Sequence, residues 1–270
     1  MPINRTYSFD IDTKKYLNRV NTFRGLNGLS NIAMADAVDI DNFVVGLKDL
    51  GAWNNTVFWL YGTNYGTSAT RSVVPLNTLN YNYDRETCTL STTISAGLSG
   101  VTCPAGSNIT GVTFIADPTE ITVGFIGTAP TAGSNGNWFA VNNVARVDGS
   151  SALIFWLNPR TGFGGEFRFA NSNALLAENA LTGFRSWIYT GRFGEQTIIF
   201  RDGVLAATAG TSADRIPFNS QPIAISFCRS GTYDGTAAIA FISKRKFPNS
   251  VAISMHSLIR STVGKRLGLV

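Results

Sequence analysis

The chain has 270 residues, of which 44% are hydrophobic and only 14% are charged, and its net charge is +5. A chain of this length can bury roughly three quarters of its unfolded surface, so its core needs neither disulfides nor a metal. Residues 1–125 carry a net charge of −2 and residues 126–270 carry +7, but the basic residues are scattered, apart from the run 244–246. This pattern argues against a polybasic tail or a duplex-binding helix, and we expect no nucleic-acid partner.

Residues 1–53 predict a short helical segment. Residues 12–20 form a weak helical pattern with a cap candidate, and the stretch from Ala35 to Trp53 forms a stronger one. Asp36 or Asp39 is expected to cap the second helix, and Gly51 lies where a C′ glycine belongs. The helix has an apolar stripe with 3–4 spacing, formed by Val38, Phe43, Val44, Leu47 and Leu50.

A bare apolar stripe must be covered, and the sequence leaves two interpretations of what covers it. We expect residues 1–53 to be an attachment or oligomerisation segment, most simply in a trimer. The alternative is that the helix packs across one end of the following domain.

From Asn54 onward the pattern is typical of β-structure. Short apolar runs alternate with clusters of Gly, Asn, Ser and Thr, and no helical periodicity lies between them. An antiparallel jelly-roll sandwich over residues 54–270 is the predicted domain. The expected strands cover residues 56–61, 111–116, 120–127, 152–158, 165–170, 185–191, 197–202, 224–229 and 236–247.

Two features close the β region. Asp202–Gly203 is a dipeptide that supplies the positive φ angles of a tight hairpin turn. After Pro248, with Asn249 or Ser250 as the cap, a final helix is predicted. Its apolar stripe consists of Val251, Met255, Leu258, Ile259 and Val263.

The order of elements from residue 185 carries a resemblance. "RSWIYTGRFGEQTIIFRDGVLAAT" is followed by "PIAISFCRS", "YDGTAAIAFISKRKF" and the capped helix. This order resembles the concanavalin A-like lectin/glucanase superfamily, particularly its laminin-G-like jelly rolls. "IDNFVVGLKDLGAWNNTVFWLYG", with "PLNTLNYNYDRETC" later, resembles the opening of structural proteins of tailed bacteriophages.

We found no catalytic constellation in the sequence. The glucanase branch of the superfamily uses carboxylates closely spaced on one strand, and the nearest acidic cluster here is "YDRE" at residues 83–86, whose composition favours a solvated turn. The single histidine, His256, lies in the final helical pattern without visible partners. The sequence therefore predicts a protein that is not an enzyme.

Metal and cysteine chemistry are weakly indicated. No cofactor is expected; calcium remains an alternative, because related lectins often bind it, with Asp202, Asp214 and Asp234 as candidates by residue type alone. Three cysteines with irregular spacing, Cys88, Cys103 and Cys228, fit neither a disulfide framework nor a zinc site. Free buried thiols are favoured over a Cys88–Cys103 pair.

Sugar binding has a better basis in the sequence, because glycan sites combine an aromatic ring with polar hydrogen-bonding groups. Trp138 lies beside a loop among asparagines, whereas Trp156 and Trp187 in apolar strands are expected to be core residues. The candidate glycan or interface residues are Asn137, Trp138, Asn143, Tyr189, Arg192 and Tyr233.

The resemblance implies a bacteriophage virion structural protein, such as a capsid decoration, fibre or tail appendage. Its partners would be other virion proteins and a host surface glycan. The N-terminal residues show no signal-peptide pattern and no run of 18 apolar residues predicts a membrane span, so we expect assembly in the host cytoplasm. The alternative is a stand-alone carbohydrate-binding lectin.

Overall fold

The computed structural model describes most of the chain in short stretches separated by gaps. The described residues are 7–61, 72–77, 88–91, 94–97, 99–104, 109–115, 119–128, 137–141, 144–145, 151–152, 155–157, 165–169, 172–176, 183–211, 222–229 and 235–269. They form a mainly β, antiparallel sandwich with helices at both ends of the chain, so the predicted fold class is confirmed.

Three α-helices are present in the described part of the chain. They are α1 (Ile11–Leu26), α2 (Met34–Asp49) and α3 (Asn249–Ser261). Short 3₁₀ turns follow α2 at Trp53–Asn55 and α3 at Lys265–Leu267. No described helix is both long enough and apolar enough to cross a membrane.

The strands of the structure overlap each strand expected from the sequence and include others, among them one of eight residues. Their bounds are β1 (Thr56–Leu60), β2 (Ser72–Val73), β3 (Cys88–Leu90), β4 (Ser95–Gly97), β5 (Gly100–Cys103), β6 (Ile109–Ile115), β7 (Glu120–Thr128), β8 (Asn137–Val141), β9 (Val144–Ala145), β10 (Ser151–Ala152), β11 (Phe155–Leu157), β12 (Gly165–Phe169), β13 (Ser172–Leu176), β14 (Phe184–Arg192), β15 (Gln196–Arg201), β16 (Val204–Thr211), β17 (Pro222–Arg229) and β18 (Gly235–Ser243).

Within the described residues the strands form two large sheets and one small pair. The first sheet has the order β16-β15-β14-β7-β18-β5-β4, and β1 pairs with β18 beyond the end of β5. The second sheet has the order β13-β12-β11-β8-β17-β6-β3-β2, and β9 pairs with β10. All pairings are antiparallel, and β12 and β13 of the second sheet lie against β15 and β16 of the first.

The first sheet is buried on both faces. Phe58 of β1 pairs with Phe241 of β18, and its ring contacts Phe43 of α2 at 5.3 Å between centroids. Ser186 of β14 contacts His256 of α3. Strand register places Phe58, Phe241 and Ser186 on the same face, so α2 and α3 both cover that face. The molecule therefore has a helical layer outside the first sheet, which explains the nearly continuous burial along β1, β7 and β18.

This helical layer corrects the prediction that α2 presents a free attachment stripe. Phe43, Val44 and Leu47 are fully buried, and Val38 and Leu50 are half-buried. Phe43, Val44 and Leu47 belong to the same hydrophobic cluster as the sandwich, together with Tyr16 and Val20 of α1, and Leu50 packs against that cluster. The stripe therefore packs on the sandwich, which was the second of the two interpretations that the sequence left open. Folding of residues 54–270 as a separate domain remains a prediction.

The helix caps differ from those that the sequence suggested. The N-cap of α2 is Ala33, not Asp36 or Asp39, and the N-cap of α3 is Pro248. Neither residue offers a side-chain cap hydrogen bond, so tertiary packing holds these ends. Asp36 instead forms an ion pair with Arg266 across 2.8 Å, which ties α2 to the turn after α3.

The hairpin at Asp202–Gly203 is confirmed. Arg201 pairs with Val204, and the two turn residues have φ angles of +50° and +76°, as a type I′ turn requires.

Cys88 is a free buried thiol, as expected, and burial raises its pKa strongly although the Tyr61 hydroxyl lies 3.3 Å from its Sγ.

Candidate functional site

A surface cavity lies where α2 gives way to β1. Its volume is about 390 Å³, and it is lined by Asp12, Lys48, Gly51, Trp53 and Asn54. We call these five residues the junction pocket. The volume falls within the range of roughly 300–1,000 Å³ that is usual for small-ligand sites.

The end of α2 explains why Lys48 and Trp53 come together. The N–H of Gly51 donates to the carbonyl of Lys48, and the N–H of Ala52 donates to the carbonyl of Leu47 at 2.9 Å. This is a Schellman motif, with Gly51 in the left-handed conformation at φ +68°. The motif reverses the chain, so Trp53 and Asn54 follow immediately beside the last turn of the helix.

A buried asparagine fixes the turn that carries the tryptophan. The Asn77 amide Nδ2 donates to the carbonyls of Trp53 and Thr56, and its Oδ1 accepts from the N–H of Phe58. Because both the NH₂ group and the oxygen of this side-chain amide are bonded to backbone, the turn after α2 is held in one position relative to β1. The tryptophan backbone is therefore pre-organised.

The charged side of the pocket is built by the start of α1 crossing the end of α2. Asp10 is the N-cap of α1 and accepts from the N–H of Asp12 at 2.9 Å. The Lys48 ammonium lies between the two carboxylates, 2.6 Å from Asp10 Oδ1 and 2.8 Å from Asp12 Oδ2. Lys15 also reaches Asp12, at 3.2 Å. We call Asp10, Asp12 and Lys48 the charged clasp.

A third carboxylate holds the start of α1 in place. Asp41 of α2 is buried, and its two oxygens accept from the N–H of Asp10 at 2.8 Å and from the Tyr7 hydroxyl at 3.0 Å. Residues 7–12 are therefore bound along α2 by both backbone and side-chain hydrogen bonds.

The clasp shifts the ionisation of all three of its members. The hydrogen bond from Lys48 lowers the pKa of both Asp10 and Asp12 below the ordinary aspartate value. Burial alone would lower the pKa of Lys48, but its hydrogen bonds to the two aspartates outweigh this and raise that pKa. All three groups are thus charged at neutral pH.

The aromatic member completes the pocket. Trp53 is half-buried, and the Lys48 Nζ lies 5.6 Å from the centroid of its ring. A cation at this distance from an indole ring is held by the ring quadrupole. The pocket therefore combines an apolar ring surface, an ammonium, a carboxylate and the exposed amide of Asn54.

The glycan candidates from the sequence do not form one site in the described residues. Tyr189 is only 1% exposed, and burial raises its pKa well above the usual tyrosine value, so its candidacy as a surface contact is wrong. Arg192 is 51% exposed and pairs with Glu195 and Glu120. The two positions lie on opposite faces of β14, because they are three residues apart in a strand.

The remaining candidates are not tested. The backbones of Asn137 and Trp138 lie in β8, and the side chains there are outside the described part of the structure. Asn143 and Tyr233 lie outside the described residues, as do the calcium candidates Asp214 and Asp234. The role of these residues stays a prediction.

Both carboxylate oxygens of Asp202, the third calcium candidate, accept hydrogen bonds from other groups of the protein. Asp202 Oδ1 accepts from the N–H of Ser186 at 3.0 Å, and its Oδ2 accepts from Arg185 at 3.1 Å. The described residues contain no group of three or more His, Cys, Asp or Glu side chains that could hold a metal ion.

The single histidine belongs to the same buried network. His256 is 4% exposed, and its Nδ1 lies 2.6 Å from the Ser186 Oγ. Gly203 of the hairpin lies directly against the imidazole ring. We call Ser186, Asp202, Gly203 and His256 the Asp202 turn. The buried serine and histidine are closed off from any substrate.

Sequence reasoning missed the junction pocket, although part of its signal was visible. Gly51 was recognised as a C′ glycine, and an aromatic residue two positions later must lie beside the end of the helix. The arrival of Asp12 from α1 has no such local signal.

Comparisons with known proteins define the fold. No protein-family model matches the chain, and no curated protein matches it. Trypanosoma rangeli sialidase in complex with 2,3-difluoro-KDN is similar in structure, with a TM-score of 0.54 and 11% identity, over 78% of this chain and 33% of that one.

Two toxin structures have a similar fold. The binding domain of Botulinum Neurotoxin DC in complex with SialylT has a TM-score of 0.52 at 12% identity, covering 76% of this chain and 52% of that one. The binding domain of Paraclostridial Mosquitocidal Protein 1 has a TM-score of 0.51 at 14% identity, over 75% and 52%. This chain thus spans a third to a half of these proteins, and the likeness establishes a shared β-sandwich architecture.

Proposed function

We propose that this chain is a non-catalytic carbohydrate-binding protein that recognises a glycan in the junction pocket and serves on a bacteriophage virion. The observation that carries the binding part is the placement of the Trp53 ring beside Lys48, Asp12 and Asn54 around one open cavity. A sugar ring has an apolar face that packs on an aromatic ring and hydroxyls that bond to surrounding polar groups. The pocket supplies both kinds of contact.

The ionisation of the pocket supports binding without hydrolysis. Glycoside hydrolysis needs a carboxyl group that stays protonated until it can protonate the leaving oxygen, which requires a raised pKa. Both carboxyl groups of the charged clasp have lowered pKa values, because Lys48 bonds to each of them. They are therefore suited to accept hydrogen bonds from hydroxyls.

The structural neighbours add support at the level of architecture. A sialidase and toxin binding domains share the fold, and two of the structures contain a sugar-like ligand or SialylT. Carbohydrate recognition is therefore compatible with this sandwich, while the site itself is argued here from Trp53 and its neighbours.

The binding proposal is tested by presenting the full chain to a glycan array and measuring the hits by calorimetry. Trp53→Ala is expected to abolish binding, and Trp53→Phe to retain part of it, because a smaller ring still provides an apolar face. Val204→Ala, on an exposed side chain of β16, is the control and should bind normally. Thermal unfolding of each variant separates lost binding from lost folding. Wild-type binding that survives in Trp53→Ala would refute the site.

The virion part of the proposal depends on the N-terminal sequence resemblance, and it includes assembly in the host cytoplasm. Its attachment contact must differ from the α2 stripe, which is buried. Leu26 is 82% exposed and Met34 is 65% exposed, and both flank the connection between α1 and α2 together with the less exposed Leu29. Exposed large apolar side chains in one region are typical of interaction sites. We place attachment or trimer formation at this connection.

Two measurements test the virion role against the alternative of a stand-alone lectin. Mass spectrometry of purified virions should detect the chain. Light scattering should show self-association that Leu26→Ser with Met34→Ser removes without changing glycan binding. A protein that is monomeric, absent from particles and still binds glycan would support the lectin alternative.

A further inference from the structure

The charges of the junction pocket restrict the class of glycan that it can accept. Asp10 and Asp12 bring two carboxylates to the end of α2, against the ammonium groups of Lys48 and Lys15, and Asp41 adds a third from the middle of that helix, where it accepts from the N–H of Asp10. Among the described residues that line the pocket, the only cation is Lys48, which is already shared between Asp10 and Asp12 at distances of 2.6 and 2.8 Å. The described lining therefore offers an entering anion no unshared positive charge.

Hydrogen-bonding capacity points in the same direction. An ammonium has three N–H donors, and Lys48 uses two on the aspartates, which leaves one for a ligand. Asp12 accepts one bond on each oxygen and retains further lone pairs, and Asn54 supplies an exposed amide. A hydroxyl both donates and accepts, so neighbouring hydroxyls of a sugar can donate to Asp12 while accepting from Lys48 and Asn54. A carboxylate can only accept.

We propose that the junction pocket selects uncharged sugars and discriminates against sialic acid and other acidic sugars. This inference rests on the proposed function, since it names the ligand class of the same site. A ligand carboxylate that accepts from the remaining N–H of Lys48 would lie beside Asp12 as well, and the two negative charges would repel each other. The chain would thus differ in specificity from the neurotoxin domain whose structure contains SialylT.

The test uses matched glycan pairs that differ only in a terminal sialic acid, with the full chain at low ionic strength. We expect the neutral member of a pair to bind about fivefold more tightly or better, because like charges at contact distance repel by about 1 kcal/mol even in water. Asp12→Asn should narrow that ratio by removing the nearest carboxylate. Asp49→Asn, on an exposed aspartate outside the pocket lining, should leave the ratio unchanged. Added salt should also narrow it.

The outcomes separate the two proposals. Equal or tighter binding of the sialylated members would overturn the specificity inference and leave glycan binding intact. Neutral-sugar selectivity that Asp12→Asn does not alter would also overturn it, because the carboxylate would then not be the cause. Absence of binding to every glycan would refute the proposed function itself, and the inference with it.

Discussion

The junction pocket and the Asp202 turn both lie where a helix adjoins the first sheet, and they use similar residues for opposite purposes. At the junction pocket, Asp10 and Asp12 hold Lys48 at the rim of an open cavity beside Trp53. At the Asp202 turn, Asp202 holds Arg185 and the backbone of Ser186, while His256 of α3 is buried against Ser186. The first arrangement leaves donors and acceptors available to a ligand, and the second satisfies them within the protein.

The difference teaches that accessibility, and not residue type, separates a binding site from a structural network here. A serine, a histidine and an aspartate in one neighbourhood suggest chemistry in a sequence, yet burial commits this group to stability. An aspartate–lysine pair usually contributes little to stability at a surface, yet here it shapes a cavity. The predictions below test whether the two places respond as this contrast requires.

The largest effect is expected at Gly203. Its φ of +76° disfavours any side chain, and a Cβ there would lie 2.9 Å from His256 Cδ2. Gly203→Ala should therefore lower the free energy of unfolding by about 2–4 kcal/mol, measured by chemical denaturation. Gly194→Ala is the matched control, because Gly194 has φ +75° but open space around it, and it should cost only the backbone strain.

Combining Gly203→Ala with His256→Ala isolates the contact with the ring. The double variant should be less destabilised than the sum of the single variants, since the imidazole is no longer in the way. Equal losses for Gly203→Ala and Gly194→Ala would contradict the packed arrangement of the Asp202 turn.

A smaller loss is expected from the buried hydrogen bond between Ser186 and His256. Ser186→Ala removes a 2.6 Å contact to Nδ1 and should destabilise the fold by about 1–2 kcal/mol. Ser261→Ala, which removes an exposed hydroxyl bonded to its own helix, should change stability by less than about 0.5 kcal/mol. Glycan binding should be unaffected by both changes. A loss of glycan binding in Ser186→Ala with intact folding would indicate that the ligand binds near the Asp202 turn and not in the junction pocket.

The charged clasp should affect how the free energy of unfolding depends on pH in the acid range. The pKa values of Asp10 and Asp12 are lowered by folding, so their contribution is complete above the ordinary aspartate value of about 3.9 and is lost as the pH falls through their folded values. Lys48→Met removes the cause, so the variant should lose less stability than the wild type as the pH falls below about 4. The difference should not exceed about 1 kcal/mol for a pair this exposed.

Lys15→Met provides the control for the acid titration. Lys15 reaches only Asp12, and its side chain is far more exposed than that of Lys48. Its variant should follow the wild-type pH dependence more closely than Lys48→Met does. Parallel stability curves for the wild type and Lys48→Met would show that the clasp does not form in solution.

The smallest effect on stability is expected at Asn54. A change there tests most directly whether the junction pocket serves binding and not stability. Asn54 is exposed and lines the pocket, so Asn54→Ala should change the free energy of unfolding by less than about 0.5 kcal/mol. Glycan affinity should nevertheless fall by about three- to tenfold, the usual value of one neutral hydrogen bond. Calorimetry on the wild type and the variant measures it. Unchanged affinity would remove Asn54 from the site.

The parts of the fold that the sequence predicted are those with local causes. Asp202–Gly203 requires positive φ angles, and Gly51 ends α2 for the same reason, so both were visible without a structure. The caps of α2 and α3 were predicted wrongly, because local propensity favoured Asp36 and Asn249 whereas tertiary packing set the boundaries.

The candidate site was harder to predict because it depends on distant contacts. The sequence ranks tryptophans by their neighbours, which favoured Trp138 near a loop and gave no weight to Trp53. Asp12 meets Lys48 only after α1 folds back along α2, and Asn77 reaches Trp53 from a later segment. Tyr189 was chosen for its type, and only the register of β14 between β7 and β15 shows that it is buried.

The pairing of β1 with β18 has a consequence for how the chain reaches its native state. Thr56 pairs with Ser243 and Leu60 with Ile239, so the first strand is hydrogen-bonded to the last one across most of the sequence. Pairings between such distant segments carry a high loop-closure entropy, and chains dominated by them fold slowly. Until β18 is made, the strand Thr56–Leu60 lacks its partner and the apolar side of α2 lacks the complete surface on which it packs. The nascent protein therefore spends its synthesis with an unpaired strand edge, and refolding should be rate-limited by closure of this long-range pair.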